Sequence, residues 1–385
     1  MRMFALFASL FVTSLCFADT NAERPNLDDP EVRKKIIEEA VELEAVKKAD
    51  GTFQYSKPLE FAPYQGSGWG VIYYENKKLQ SLLQFSRGEL EGLAITWYYN
   101  EQKQTVESYK DGKQDGLATF WYENGQKQTV GSYKDGKLDG LVTFWHENGQ
   151  KDRAGKFKDG KEDGLWSFWY ENGQKKEETN WKDGKQDGLT TIWYENGQKK
   201  EETNWKDSKQ DGLSTFWHEN GQKKDESNWK DGKRDGLKTS WYENGQKDSE
   251  GKFKDGKEDG LGTHWYENGQ KKAECNWRDG KQDGLATFWY ENGQKKEECN
   301  WKYGKIHGLV TFWYENGQKD REINLKDGKE EGLVTIWHED GWKKIEQNFK
   351  QGKKHGVAIL YDKNGDQTSI QHWNLGTLVS EKKPE

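Results

Sequence analysis

Glycine recurs every 24 residues, thirteen times without a slip: Gly68, Gly92, Gly116, Gly140, Gly164, Gly188, Gly212, Gly236, Gly260, Gly284, Gly308, Gly332 and Gly356. Around most of them one phrase returns, as in Gly188 to Lys206, GLTTIWYENGQKKEETNWK. A strict period of this length marks a repeat architecture. In such a chain no repeat buries its apolar surface alone, and stability sums over contacts between neighbours.

Each repeat reads as one β-hairpin. In the repeat opening at Gly164, Leu165 to Glu171 alternates like a strand and is rich in aromatics. Asn172-Gly173 predicts a two-residue type I′ turn, and Gln174 to Lys182 the return strand. Asp183-Gly184-Lys185-Gln186-Asp187 then makes a wider bend to the next repeat. This register pairs Glu171 with Gln174, Phe168 with Glu177 and Gly164 with Trp181. The periodic glycines are therefore read as structural, each beneath an aromatic of the return strand. Phe168, Tyr170 and Trp181 fall on one face, which stacked Phe and Trp should pack. Leu165 and Trp169 fall on the other, beside Lys176 and Glu178. The expected fold class is all-β: an elongated single antiparallel β-meander of 24-residue β-hairpins with a short N-terminal helix. It should advance roughly 9.5 Å per repeat and on the order of 120 Å in all.

Composition supports a thin repeat structure. With 31% hydrophobic residues, 33% charged residues and a mean hydropathy of -1.22, the average resembles disorder. Yet 20 Trp, 17 Tyr and 16 Phe recur in register, so they must be packed or displayed in columns. The 60 basic and 67 acidic residues alternate in sign, as in Lys175, Lys176, Glu177 and Glu178, and net only -7. That leaves no basic footprint and argues against nucleic acid and strong membrane binding.

The ends differ from the array. Met1 to Ala18 has Arg2 at its start, an apolar run from Met3 to Val12 and a small residue, Ala18, at its close. This is the pattern of a signal peptide at 1–18, which implies export, to the periplasm or outside the cell. The bulky Leu15 before Cys16 speaks against a lipid-anchored form. Residues 19–67 form a polar segment whose helix, at about 30–48, starts at Asp28-Asp29-Pro30. Its apolar face is Val32, Ile36, Ala40, Leu43 and Val46, and it is read as a lid over the first open strand. Thirteen repeats fill 68–379, and 380–385 is a charged tail. Cys275 and Cys299 lie one period apart, roughly 9.5 Å, beyond disulfide reach, and are read as free thiols in Thr-like positions.

No constellation in the chain suits catalysis. His146, His218 and His338 replace Tyr in one column, while His264, His307, His355 and His372 are scattered. Glu177 and Glu178 point to opposite faces. The aspartates of the Asp183 to Asp187 bend fit turn chemistry better than calcium, because a lysine sits among them. No catalytic residue, metal or cofactor is expected. The candidate binding residues are the aromatic ladder Trp121, Trp145, Trp169, Trp193, Trp217, Trp241, Trp265, Trp289, Trp313 and Trp337. Tyr303, Ile306, His307 and Trp342 break their columns and are the candidates for a local site.

The phrase at Gly116 to Tyr133 and the KDGKLDGL at Lys134 to Leu141 resemble the MORN-repeat variant of bacterial YwqK-family antitoxins. The likeness covers about Gly68 to Gly376, and Pro63-Tyr64-Gln65-Gly66 followed by Tyr73-Tyr74-Glu75-Asn76 resembles that family's opening unit. The resemblance implies a non-catalytic binding or scaffolding module with a protein partner. Three readings follow: an exported protein-interaction scaffold, an antitoxin that neutralises a partner protein, or a cell-wall glycan-binding module using the Trp ladder.

Overall fold

The computed structural model describes residues 25–47, 53–57 and 64–383. The expected signal peptide and Cys16 lie outside the described residues. The chain divides into two compact units, Met1–Gly188 and Leu189–Glu385. Among the described residues the fold is all-β with one short helix. Within each unit successive strands of the repeats pair antiparallel in chain order.

In the first unit the helix is shorter than its apolar periodicity suggests. It spans Pro30–Glu39, capped by Asp29, whose carboxylate accepts the Glu31 and Val32 N–H groups. Beyond Ala40 the chain becomes extended. Val41–Glu42 pairs in parallel with Gly68–Tyr73, and the Leu43 N–H donates to the Val71 carbonyl at 2.9 Å. A helix this short is marginal on its own, and an open strand with unpaired backbone groups outcompetes it. The lid over that strand is thus another strand, with the helix beside it. Aliphatics gather here on two faces, around Leu43, Ile72 and Leu83 on one and around Val71, Leu82 and Ile95 on the other.

The hairpin starting at Gly164 keeps the expected pairs Gly164–Trp181 and Phe168–Glu177. Its turn is different. Tyr170 N–H donates to the Gln174 carbonyl and Gly173 N–H to the Tyr170 carbonyl, at 2.9 and 2.8 Å. Glu171, Asn172 and Gly173 therefore form a three-residue loop with Gly173 left-handed at φ 85°. Tyr170, not Glu171, opposes Gln174. The extra loop residue is absorbed by a bulge, because Trp169 pairs with Lys175 and leaves Lys176 unopposed. Lys175, not Lys176, is the residue opposite Trp169.

The type I′ turn lies at the other end, where Asp135 and Gly136 have φ 49° and 79° between the paired Lys134 and Lys137. A second bulge follows, in which Asp139, Gly140 and Leu141 span the space opposite Ser132. Gly140 has φ 115°, and a Cβ there would stand 3.1 Å from the Ser132 Cβ. The periodic glycine is needed for this left-handed bulge and not for an aromatic cover. At Gly164 an added Cβ meets nothing within 4 Å.

Parity then sets the faces, as the second unit shows. Gly284, Ala286 and Phe288 pair with Trp301, Cys299 and Glu297, and this face holds a buried column of small residues. Cys275, Ala286, Cys299 and Val310 form that column, flanked by Trp277, Phe288, Trp301 and Phe312. In this unit aromatics thus border the buried column instead of filling it. The two cysteines are free, and burial pushes the Cys299 thiol up to about 12, with Glu297 adding to the shift.

Three measurements check this account. Gly236→Ala, at φ 118° and with its new Cβ 3.0 Å from the Asn228 Cβ, should lower stability by about 1–3 kcal/mol in urea denaturation. Tyr303→Asn should raise it by up to ~1 kcal/mol, because an exposed aromatic at φ 52° in a I′ turn is replaced by a residue that tolerates that region. The thiolate is the reactive form, so Cys275 and Cys299 should resist alkylation in the folded chain at mildly alkaline pH and react in urea. For Cys299 the folded value is the higher one. The stability held by its neutral thiol is therefore complete below the ordinary thiol range and lost as pH rises toward about 12.

Candidate binding surface

The bulge after each ladder Trp builds the opposite face. In a regular strand residues three apart point to opposite sides. With one residue extra, Lys295 and Glu298 reach the same side and form an ion pair, as do Lys199–Glu202, Lys223–Glu226, Lys247–Glu250, Lys271–Glu274 and Lys319–Glu322. The same lysine covers the tryptophan of the following hairpin. Lys295 Nζ stands 5.4 Å from the Trp313 ring centroid, Lys271 5.7 Å from Trp289 and Lys151 5.5 Å from Trp169. Each such cation–π contact contributes about 0.5–1 kcal/mol at an exposed site. Trp121, Trp217, Trp241, Trp265 and Trp337 are covered alike. The lysine left unopposed by the bulge lies over the loop tyrosine, as Lys296 does over Tyr290 at 5.4 Å.

Polar ties run beside these contacts from each hairpin to the next. The Tyr290 hydroxyl donates to the Trp313 carbonyl at 2.9 Å, as Tyr266 does to Trp289 and Tyr122 to Trp145 at 2.8 Å. Burial, then Asp248, pushes the Tyr242 hydroxyl up to about 12, so it stays a donor through neutral pH. Asn292 accepts the Gln294 N–H at Oδ1 and gives its Nδ2 to the Glu315 carbonyl, at 2.9 and 2.7 Å. At the I′ edge the Asp235 carboxylate accepts the Asp255 N–H at 3.3 Å, and Asp211 that of Asp231 at 3.1 Å. The recurrent aspartates thus serve the next turn.

Histidine at the tyrosine position gives three outcomes. His218 Nε2 keeps the contact, 3.2 Å from the Trp241 carbonyl. His146 Nε2 is buried without a hydrogen bond, 3.7 Å from Asp152 Oδ1. His338 stacks on Trp342, with centroids 4.8 Å apart. The column-breaking residues are not brought together. Tyr303 is exposed in a I′ turn, Ile306 pairs with Trp301 against the small-residue column, and His307 is exposed. Trp342 lies at the three-residue-loop end of its hairpin.

One element escaped the sequence reading. Leu117, Leu141, Leu165, Leu189, Leu213, Leu237, Leu261, Leu285, Leu309 and Leu333 are 41–73% exposed. They share the Trp face: Leu285 pairs with Asn300, Thr287 with Glu298 and Trp289 with Lys295. Leucine after every periodic glycine was the available signal, but alternation alone does not distinguish a covered leucine from an open one. Trp193 occupies the same ladder column.

The MORN repeat variant family matches ten consecutive segments, from 114–135 and 138–159 through to 330–351, together more than half of the chain. A MORN repeat also matches 348–367. No curated protein matches. Among solved structures, TcdB2-TccC3-Cdc42 and TcdB2-TccC3 align at 10% identity over 95% of this chain, with TM-scores of 0.18. A Photorhabdus luminescens Tc holotoxin pore aligns over 94% at 10% identity and a TM-score of 0.17. The chain spans about a fifth of the length of these structures, 19–20%. Superposition at that level carries no argument. On the recurring match of its hairpins, the chain belongs to the MORN-repeat variant family.

Proposed function

We propose that this chain is a non-catalytic scaffold that docks a protein partner on the leucine-bearing face of its hairpins. The observation that carries the reading is the exposed leucine column, an apolar row repeated in register beside lysine–glutamate pairs. Rows of exposed apolar side chains framed by polar groups are typical of interaction surfaces. The family is one of repeat-based binding scaffolds and points to no catalytic class.

The pattern of Met1 to Ala18 supports export, with the mature protein acting in the periplasm or outside the cell. The likeness of its repeats to YwqK-family antitoxins supports a narrower version, in which the docked protein is silenced. Sugar stacking on the Trp ladder has less to support it, because lysines already cover most of the rings.

The triple variant Leu213→Lys, Leu237→Lys and Leu261→Lys tests the reading in pull-downs from cell-envelope extract. A protein captured by the natural chain should be lost by about tenfold or more, with the thermal unfolding midpoint little changed. Equal capture by both chains, or a captured glycan and no protein, would overturn it.

A further inference from the structure

Nine Asn-Gly pairs lie in the three-residue loops from Asn124 to Asn316, and a tenth is Asn364-Gly365. This dipeptide is chemically fragile. The glycine nitrogen attacks the asparagine Cγ, a C–N bond forms, and ammonia leaves with the glycine amide proton. The resulting succinimide is opened by water to aspartate or isoaspartate. Glycine is the most permissive neighbour because it has no Cβ to obstruct the approach.

In the repeats the attack is blocked from both ends of the amide. Asn268, for example, is held by the Gln270 N–H at 2.9 Å and by its own donation to the Glu291 carbonyl at 3.0 Å. Asn220, Asn244, Asn292 and Asn316 carry the same two bonds. The side chain cannot swing its Cγ toward the glycine nitrogen without breaking both. That nitrogen is itself engaged, as Gly293 N–H donates to the Tyr290 carbonyl at 2.9 Å.

The last loop is wired differently. Aspartate stands where the others have tyrosine or histidine, and Asp362 Oδ1 takes the Asn364 and Asp366 N–H groups at 2.9 and 3.0 Å. The N–H that would clamp the asparagine is thereby used up. Among the described residues, Asn364 is the Asn-Gly asparagine whose side chain carries neither bond. Its glycine N–H bond is also the longest of the set, 3.1 Å from Gly365 to the Asp362 carbonyl.

We propose that Asn364 is the spontaneous deamidation site of the folded protein, and that the cross-hairpin clamp protects the Asn-Gly pairs that carry it. Each clamp must open before attack, so the rate at Asn364 should exceed that at Asn268 or Asn292 on the order of tenfold. The full chain would be incubated folded at mildly alkaline pH, and in parallel in urea. Peptide mapping by mass spectrometry, with isoaspartate detection, would follow each site. The expected result is selective conversion at Asn364 in the folded chain and convergence of the rates in urea. Comparable folded rates at Asn364 and Asn292 would overturn the proposal. So would an excess at Asn364 that persists in urea, which would place the cause in local sequence. Asp362→Tyr, which frees the Asp366 N–H to clamp the asparagine, should slow conversion at Asn364. An unchanged rate there would also count against it.

Discussion

The bonds that run from one hairpin into the next, asparagine amide to glutamate carbonyl and tyrosine hydroxyl to tryptophan carbonyl, are the constraint on which the rest of the structure depends. Away from the N-terminal clusters the buried column consists mainly of alanine, valine, threonine, serine and cysteine. Side chains that small remove little apolar area from water, and area is what hydrophobic stabilisation scales with. The shortfall is met by polar ties of about 1 kcal/mol each, repeated from hairpin to hairpin along each unit. These ties also explain why the period never slips. The loop asparagine reaches a carbonyl 23 residues on, and the I′ turn takes a carboxylate from 20 residues back. One inserted residue would break every such bond at its junction.

Lysine has two roles on the Trp face, and the bulge makes them compatible. It brings Lys295 level with Glu298 within its own hairpin, while the side chain lies over Trp313 of the next. The carboxylate offsets the charge that the indole attracts, so the face is aromatic yet nearly neutral. A surface ion pair alone contributes little. Held between a carboxylate and a ring, the lysine acts as a spacer as much as a charge, its stem covering apolar surface.

Period, strand pairing and the family were legible in the sequence because they depend on spacing. Phe168–Glu177 and Gly164–Trp181 pair as alternation predicts, even though the turn between them differs from the expected one. That agreement arises because the longer loop and the bulge each add one residue, on opposite sides of the count. Asn-Gly and Asp-Gly carry the same type I′ signal, so sequence alone could not say which end of the hairpin uses it. The asparagine is spent on tying the next loop, and only coordinates show a bond of that span. The helix was overextended for a related reason: Leu43 fits a helical face as well as it fits a strand beside Val71. The exposed leucines were hidden by the rule that alternating apolar residues mark a covered side.

The site question therefore turns on which apolar groups the fold leaves over. Tryptophan is the obvious candidate from composition, yet the covered indoles are each already engaged by a lysine, and most of their carbonyls by a tyrosine or histidine. Leucine makes no comparable demand. Its backbone is in use, as when Asn276 donates to the Leu285 carbonyl at 2.9 Å, but its side chain stays open. A partner that stacks on tryptophan must first displace the lysines that support the neighbouring hairpins, and so opposes folding. A partner that covers leucine removes apolar area from water and disturbs no junction. Binding and stability are then compatible along the whole face, as an array of near-identical hairpins requires.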